Sequence, residues 1–273
     1  MSRIPKRVAE RYMRTVPKFE RVLKAAQDRD ITEADTVLIT QDMLAEVFGF
    51  DKYQDITAEY AIRGTHCDLA IKVDEKIQYL IEVKAIGLTL KENHLRQAVD
   101  YGSKEGVQWV ILTNGIIWEL YRILFEKPID YQLVCAFNFL QLNPRKAEDQ
   151  EKLFLLSKKG LKKKAREDYY ERVQSLNRFV IGAIVLSKPI VTAIRRDVRK
   201  LSSGIKVSVS EIERILRNEV LKRDVIEGED ASKAANIVKR VSRTATRRPR
   251  GGKPKETVSP EGSTTSESAE LLK

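Results

Sequence analysis

The chain has 273 residues, 42% hydrophobic and 33% charged, which is enough apolar material for a substantial core and length for one or two domains. No window approaches the roughly 18–20 apolar residues of a membrane span, and the basic start Met1-Ser2-Arg3-Ile4-Pro5-Lys6-Arg7 leads into no apolar signal region. Two cysteines, Cys67 and Cys135, make no disulfide framework, so a secreted scaffold is excluded and a cytoplasmic location is expected.

In chain order, residues 1–30 read as a basic helical arm with few apolar anchors. Val37, Leu38, Met43, Leu44, Val47 and Phe48 then recur at mixed three- and four-residue spacing, which predicts an amphipathic helix from about Thr32 to Gly49. Extended runs follow at about 55–62, 67–73 and 78–84, with Asp74-Glu75-Lys76 short enough to close a hairpin between the last two. Thr89-x-x-Glu92 has the form of a capping box for a helix running to about Glu105. Val107–Thr113 and Ile116–Arg122 flank Asn114-Gly115, a type I′ turn signal, and one more strand fits Gln132–Phe137. These elements predict an α/β core over residues 31–143.

After Asn143-Pro144 the pattern is helical and basic over residues 144–228. Helices are expected at Glu151–Lys159, at Leu161–Leu186, and from Pro189 with a stripe of Ile190, Ile194, Val198 and Leu201. Ser210-x-x-Glu213 reads as the cap of a last helix carrying Ile212, Ile215, Leu216 and Val220. Residues 229–273, rich in Ser, Thr, Gly, Pro, Lys and Arg, read as a disordered tail. The net charge of +11 is uneven: −2 over residues 1–150, +14 over 151–250 and −1 over the rest. A neutral front and a basic back point to a polyanionic partner, most often nucleic acid, against the reading that basic helices are merely solvated.

One constellation carries chemistry. The strand pleat groups Asp68, Ala70 and Lys72 on one face, and Leu80, Glu82 and Lys84 on one face of the next run. A hairpin between them would set Asp68 beside Glu82, with an ammonium close by. Two crowded carboxylates are unfavourable unless offset, and a hard divalent cation such as Mg²⁺ offsets them. A nearby lysine can orient water or neutralise charge on a phosphoryl group. The competing reading is that Glu and Lys two apart simply decorate a strand surface.

Asp68, thirteen residues, then Glu82-x-Lys84 resembles the core motif of the PD-(D/E)XK nuclease superfamily, and Gln97-x-x-x-Tyr101 resembles the motif of its RecB-like and type I restriction branches. Residues 31–140, roughly 40% of the chain, resemble the N-terminal nuclease domain of type I restriction enzyme R subunits. The likeness runs through Thr32-Glu33-Ala34-Asp35-Thr36, Gly49-Phe50-Asp51, Arg63-Gly64-Thr65-His66-Cys67-Asp68-Leu69-Ala70-Ile71, Ile81-Glu82-Val83-Lys84-Ala85 and Leu112-Thr113-Asn114-Gly115-Ile116-Ile117-Trp118.

The resemblance implies a restriction-endonuclease-like α/β/α core with a mixed sheet and hydrolysis of DNA phosphodiester bonds dependent on Mg²⁺ or Mn²⁺. It makes Asp68, Glu82 and the Val83 carbonyl metal ligands, assigns Lys84 to the attacking water, and gives Gln97 and Tyr101 auxiliary roles. An acid from the first helix, Glu33 or Glu46, would join them. Two departures stand out: Cys67 replaces the motif's proline, and no Gly-x-x-x-x-Gly-Lys-Ser/Thr is present. No ATPase motor is therefore expected in this polypeptide, and motor or specificity subunits would be separate partners.

His66, Cys67, His94 and Cys135 lack the paired spacing of a zinc site, and the cysteines read as small strand residues. His94 lies one turn before Gln97 and is either a phosphate contact or a partly exposed polar residue. Trp109 and Trp118 read as packing residues. The lysines at 158–164 and Arg195-Arg196 with Arg199-Lys200 either track DNA or form the wet face of a bundle whose apolar stripes mediate a homodimer. The sequence thus supports a metal-dependent endonuclease first, and a non-catalytic nucleic-acid or interaction module on the same fold second.

Overall fold

The computed structural model describes residues 4–62, 65–201 and 206–245, so the part of the expected tail beyond residue 245 lies outside them. Two compact units divide at Leu176 and Asn177. Among the described residues no helix is long and apolar enough to cross a membrane.

The first unit is built on a six-stranded sheet in the order β1-β2-β3-β4-β5-β6, comprising β1 (Ile56–Ile62), β2 (Thr65–Val73), β3 (Lys76–Val83), β4 (Trp109–Thr113), β5 (Ile117–Leu124) and β6 (Asp130–Asn138). All neighbours are antiparallel except β3 and β4, which are parallel. A parallel pair needs a crossover, and helix α3 (Glu92–Glu105) supplies it. Leu95, Ala98, Val99 and Tyr101 of α3 pack with Ala70, Leu80, Val110 and Leu112 on one side of the sheet. The other side is covered by α1 (Lys6–Asp28), α2 (Glu33–Glu46) and α4 (Ala147–Leu156), whose apolar residues join Leu69, Ile71, Tyr79, Ile81 and Val83. The expected α/β/α arrangement with a mixed sheet is present.

Several sequence expectations need correction. The first helix is no arm: Val8, Tyr12, Val16, Phe19, Leu23 and Ala26 form a buried stripe at three- and four-residue spacing. Charged residues between those positions mask the stripe in the raw sequence. The core unit also extends past residue 143, because Leu153–Leu156 of α4 close the sheet face and the Tyr79 hydroxyl donates to the Leu155 carbonyl at 2.8 Å. The single helix expected over Leu161–Leu186 is broken into α5 (Lys158–Lys162), α6 (Ala165–Ser175) and α7 (Arg178–Val185). Lys164 adopts φ 55° between the first two, and Asn177 caps the third by accepting from the Val180 N–H.

The second unit contains α7, α8 (Lys188–Leu201), α9 (Val209–Ile215) with a π turn to Val220, α10 (Arg223–Ile226) and α11 (Glu229–Ala245). Helix α11 occupies residues expected to be disordered; Ala231 and Ala234, too small to signal a core in the sequence, are buried. The cap of α9 is Ser208 with Glu211, two residues earlier than expected: Ser208 accepts the Glu211 N–H and Glu211 accepts the Ser208 N–H. On α8 the inward residues are Val191, Ile194 and Val198, whereas Ile190 and Leu201 face out.

Because Leu23 is fully buried against the sheet, Leu23→Ala should lower the unfolding free energy by about 2–5 kcal/mol. Urea denaturation measures this; a change below about 0.5 kcal/mol would restore the description of α1 as a detachable arm.

Candidate active site

The site forms where the β-ladder breaks. Strands β2 and β3 pair from Val73↔Lys76 up to Leu69↔Ile81. Beyond that rung, side chains replace the backbone pairing. The Val83 N–H donates to Asp68 Oδ2 at 2.7 Å, and Cys67 Sγ donates to the Ile81 carbonyl at 3.2 Å. On the other flank of β2, Ala58↔Leu69 and Tyr60↔Cys67 leave Glu59 unpaired opposite Asp68, with Glu59 at φ 49°. The register is the same on either side of this missing rung, so no residue is inserted there. Strand β3 meanwhile continues along β4 through Glu82↔Leu112 and Val83↔Thr113, and the Lys84 N–H reaches the Thr113 carbonyl at 2.8 Å.

Glu82 therefore lies on a central strand buried from both sides and is only 1% exposed. Its Oε1 accepts from Lys84 Nζ at 2.6 Å, while its Oε2 is buried with no hydrogen-bond partner. An acceptor left in that state costs on the order of 1–3 kcal/mol or more if charged. Lys84 Nζ also stands 3.6 Å from Glu33 Oε1. Glu33 opens α2, where Thr32 caps the helix by accepting the Asp35 N–H at 3.2 Å. Of the two first-helix acids, Glu33 is thus the one at the site; Glu46 is bound by Lys18 at 2.6 Å.

The electrostatics follow from this crowding. Burial raises the Asp68 carboxyl, with the Val83 N–H and Lys84 opposing and Glu33 adding to the rise. Burial, then the negative charge of Asp68, pushes Glu82 up to about 7 despite its contact with Lys84. Burial acts to lower Lys84, but its hydrogen bond to Glu82 and the surrounding carboxylates outweigh that, so its pKa rises and it stays an ammonium at neutral pH. Among the described residues, no group of three or more His, Cys, Asp and Glu side chains is arranged to hold a metal ion. The acidic pair alone offers fewer donors than a complete shell, as is usual for Mg²⁺, which keeps waters and takes substrate oxygens.

Gln97 and Tyr101 lie on α3 one turn apart, but they bond to each other: Gln97 Nε2 donates to the Tyr101 hydroxyl at 2.8 Å. The structure does not bond either to the acidic pair. His94 is occupied at the start of the helix, where its Nδ1 accepts the Lys91 N–H at 3.3 Å. The helix thus begins at Glu92 after Lys91, not through the expected Thr89–Glu92 box. Cys67 and Cys135 are buried, and burial raises each thiol to about 12.

Sequence reasoning missed Asn114. It reads as a turn residue, yet Nδ2 donates to the carbonyls of Ile86 at 3.2 Å and Leu88 at 2.9 Å, while Oδ1 accepts the N–H groups of Ile116 and Ile117. Asn114 therefore ties the segment directly after Lys84 to the β4–β5 connection. The type I′ expectation fails here because only Gly115 has positive φ and the strands pair at Thr113↔Trp118. The signal available in the sequence was an asparagine immediately after an apolar strand, where its amide mimics backbone.

The first unit is thus an α/β/α domain with two carboxylates and a lysine gathered at a break in its sheet. Residues 37–130, about a third of the chain, match the family model of the type I restriction enzyme R protein N terminus. It spans Asp68, Glu82, Lys84, Gln97 and Tyr101, stops short of Glu33, and points to a nuclease role in a restriction system. No curated protein and no solved structure matches the chain.

Two outcomes follow. Raising the folded-state pKa of Glu82 to about 7 makes its contribution to stability complete below about 4.5, and that contribution is lost as pH climbs through 7. In metal-free buffer, the melting temperature of Glu82→Gln minus that of the wild type should therefore increase from pH 4.5 to pH 8. A flat difference would show that Glu82 titrates normally. Asn114→Ala should cost about 2–4 kcal/mol through orphaned carbonyls and N–H groups, and hydrogen exchange should quicken at residues 86–88 and 116–117 before other strand ends.

Proposed function

We propose that the first unit is an endodeoxyribonuclease of restriction or defence type, dependent on Mg²⁺ or Mn²⁺, which hydrolyses DNA phosphodiester bonds. The observation that carries this reading is the buried, unpartnered Glu82 Oε2 beside Asp68 and Lys84. A hydroxyl or amide donor would have removed the cost of that oxygen; a hard cation would do so and also lift the repulsion between the carboxylates. Asp68 and Glu82 would hold the ion, with the Val83 carbonyl as a third ligand and Glu33 at the open side. A divalent ion there supplies Lewis acidity toward a phosphoryl oxygen.

The protein's own groups do the rest. Lys84, kept as an ammonium by its carboxylate neighbours, neutralises charge gathering on the phosphoryl oxygens and orients the attacking water. It is not the proton acceptor, because its shifted pKa leaves the proton on Nζ. The Val83 N–H fixes the Asp68 carboxylate through a 2.7 Å bond, so one oxygen of that group is pre-aimed. Gln97 and Tyr101 serve the DNA backbone by exchanging their mutual bond for phosphate contacts. Target choice comes from the basic C-terminal helices or from separate specificity and motor subunits, and the setting is the cytoplasm. Homodimerisation is the other assembly open to this chain.

A non-catalytic nucleic-acid module is the second reading, favoured by the closed Gln97–Tyr101 bond, which occupies the two side chains with each other. Plasmid and single-stranded DNA incubated with Mg²⁺ or Mn²⁺ separate the two. Cleavage should stop with EDTA and fall at least about a hundredfold in Asp68→Ala and Lys84→Ala. Binding without cleavage under every metal, or equal cleavage by both variants, would sink the nuclease reading.

A further inference from the structure

The second unit carries a charged groove that the nuclease site does not use. Helix α8 spends its apolar face internally: Val191 is 1% exposed and packs with Ile212 and Leu216, with Ile194 and Val198 alongside. That stripe is therefore closed to a partner, and the polar face of α8 is left over. An open groove of about 680 Å³ runs along it, lined by Arg195, Arg199, Lys206, Ser208, Ser210 and Glu213, together with Val207 and Val209.

The charges in this groove are unbalanced in a specific way. Arg196 and Lys200, outside it, share Asp197 at 3.6 and 2.8 Å. Among the described residues, Arg195, Arg199 and Lys206 have no carboxylate partner, and Arg199 is aimed by a 3.3 Å bond to the Val207 carbonyl. The one carboxylate of the lining, Glu213, is engaged by Arg217 at 3.1 Å. Arg195 and Arg199 lie one turn apart on the same helix face, so their guanidinium groups form a row and not a single point. The Ser208 hydroxyl is spent on the Glu211 carboxylate at 2.7 Å, so it is the three uncompensated cations in an open channel that suit successive phosphates of a chain. Among the described residues no aromatic ring lines the groove, so stacked bases find no platform on them.

We propose that this groove binds the sugar–phosphate backbone of DNA, independently of base sequence, as a second contact for the substrate named above, and in that sense it rests on the nuclease reading. Contacts to phosphate alone position a duplex without reading it, and their strength falls steeply with salt.

The test uses the full chain in EDTA, so that no cutting interferes, with two labelled duplexes of unrelated sequence over a salt series. Arg195→Ala/Arg199→Ala/Lys206→Ala should weaken binding to both duplexes about tenfold or more and flatten the log–log salt slope by roughly 2–3. Arg196→Ala/Lys200→Ala, which removes paired cations, should change affinity less than about threefold. Arg195→Lys/Arg199→Lys keeps the charge and should bind like the wild type, which guards against a folding defect in the triple variant. Unchanged affinity and slope in the triple variant would overturn the proposal. So would normal DNA binding by that variant combined with lost binding to polyglutamate or to phosphatidylserine vesicles, which would assign the groove to an acidic protein or a membrane surface. The outcome is separable from catalysis: a wild type that never cuts, with a triple variant that loses binding, keeps the groove and removes the nuclease reading.

Discussion

Glu82 is a carboxylate held at the end of a strand that is covered on both sides, and the rest of the first unit is arranged around that fact. A residue 1% exposed with one oxygen lacking a donor is a net cost to the fold. Lys84 offsets part of the cost through Oε1, and the remainder persists as a raised pKa. Perturbed carboxylates of this kind cluster at functional sites. The break in pairing between β2 and β3 makes the arrangement possible. Had the ladder continued past Leu69↔Ile81, the Val83 N–H would have been spent on backbone and Asp68 would have lacked its donor.

Holding that cost requires a rigid frame. Helices α1, α2 and α4 cover one side of the sheet, α3 covers the other, and Asn114 ties the segment after Lys84 to the β4–β5 connection. Each support comes from a different part of the chain, so the site depends on the whole unit and not on the hairpin that carries the acids. The second unit has its own organisation. There, apolar residues of α8 and α9 satisfy each other and leave cations facing water.

The two tight turns show where sequence reading stops. Asn114-Gly115 has the favoured composition for a type I′ turn, yet the turn that has it is Asp74-Glu75, with φ of 51° and 61°. Turn propensity is weak beside the demand for buried hydrogen bonds, and Asn114 is drawn into a connection that needs both donors and acceptors. The choice between Glu33 and Glu46 was equally closed to sequence, since both are acids on one helix. Tertiary packing sends one to Lys84 and the other to Lys18. The arm and the tail were misread for a related reason: α1 and α11 are rich in charge, and their buried stripes are narrow or made of small residues.

By itself the sequence determined the period of the sheet strands and of α2 and α3, the mixed α/β class, the identity of the acids and the lysine, and the uneven charge. These are local properties, set by side-chain alternation, capping chemistry and composition. Only the tertiary structure decided that the ladder parts beside Asp68, that Glu82 Oε2 is left without a donor, that Gln97 turns to Tyr101, and which cations stay unpaired. Those outcomes depend on neighbours far apart along the chain, whose meeting is fixed by packing and burial and leaves no periodic trace in the residues themselves.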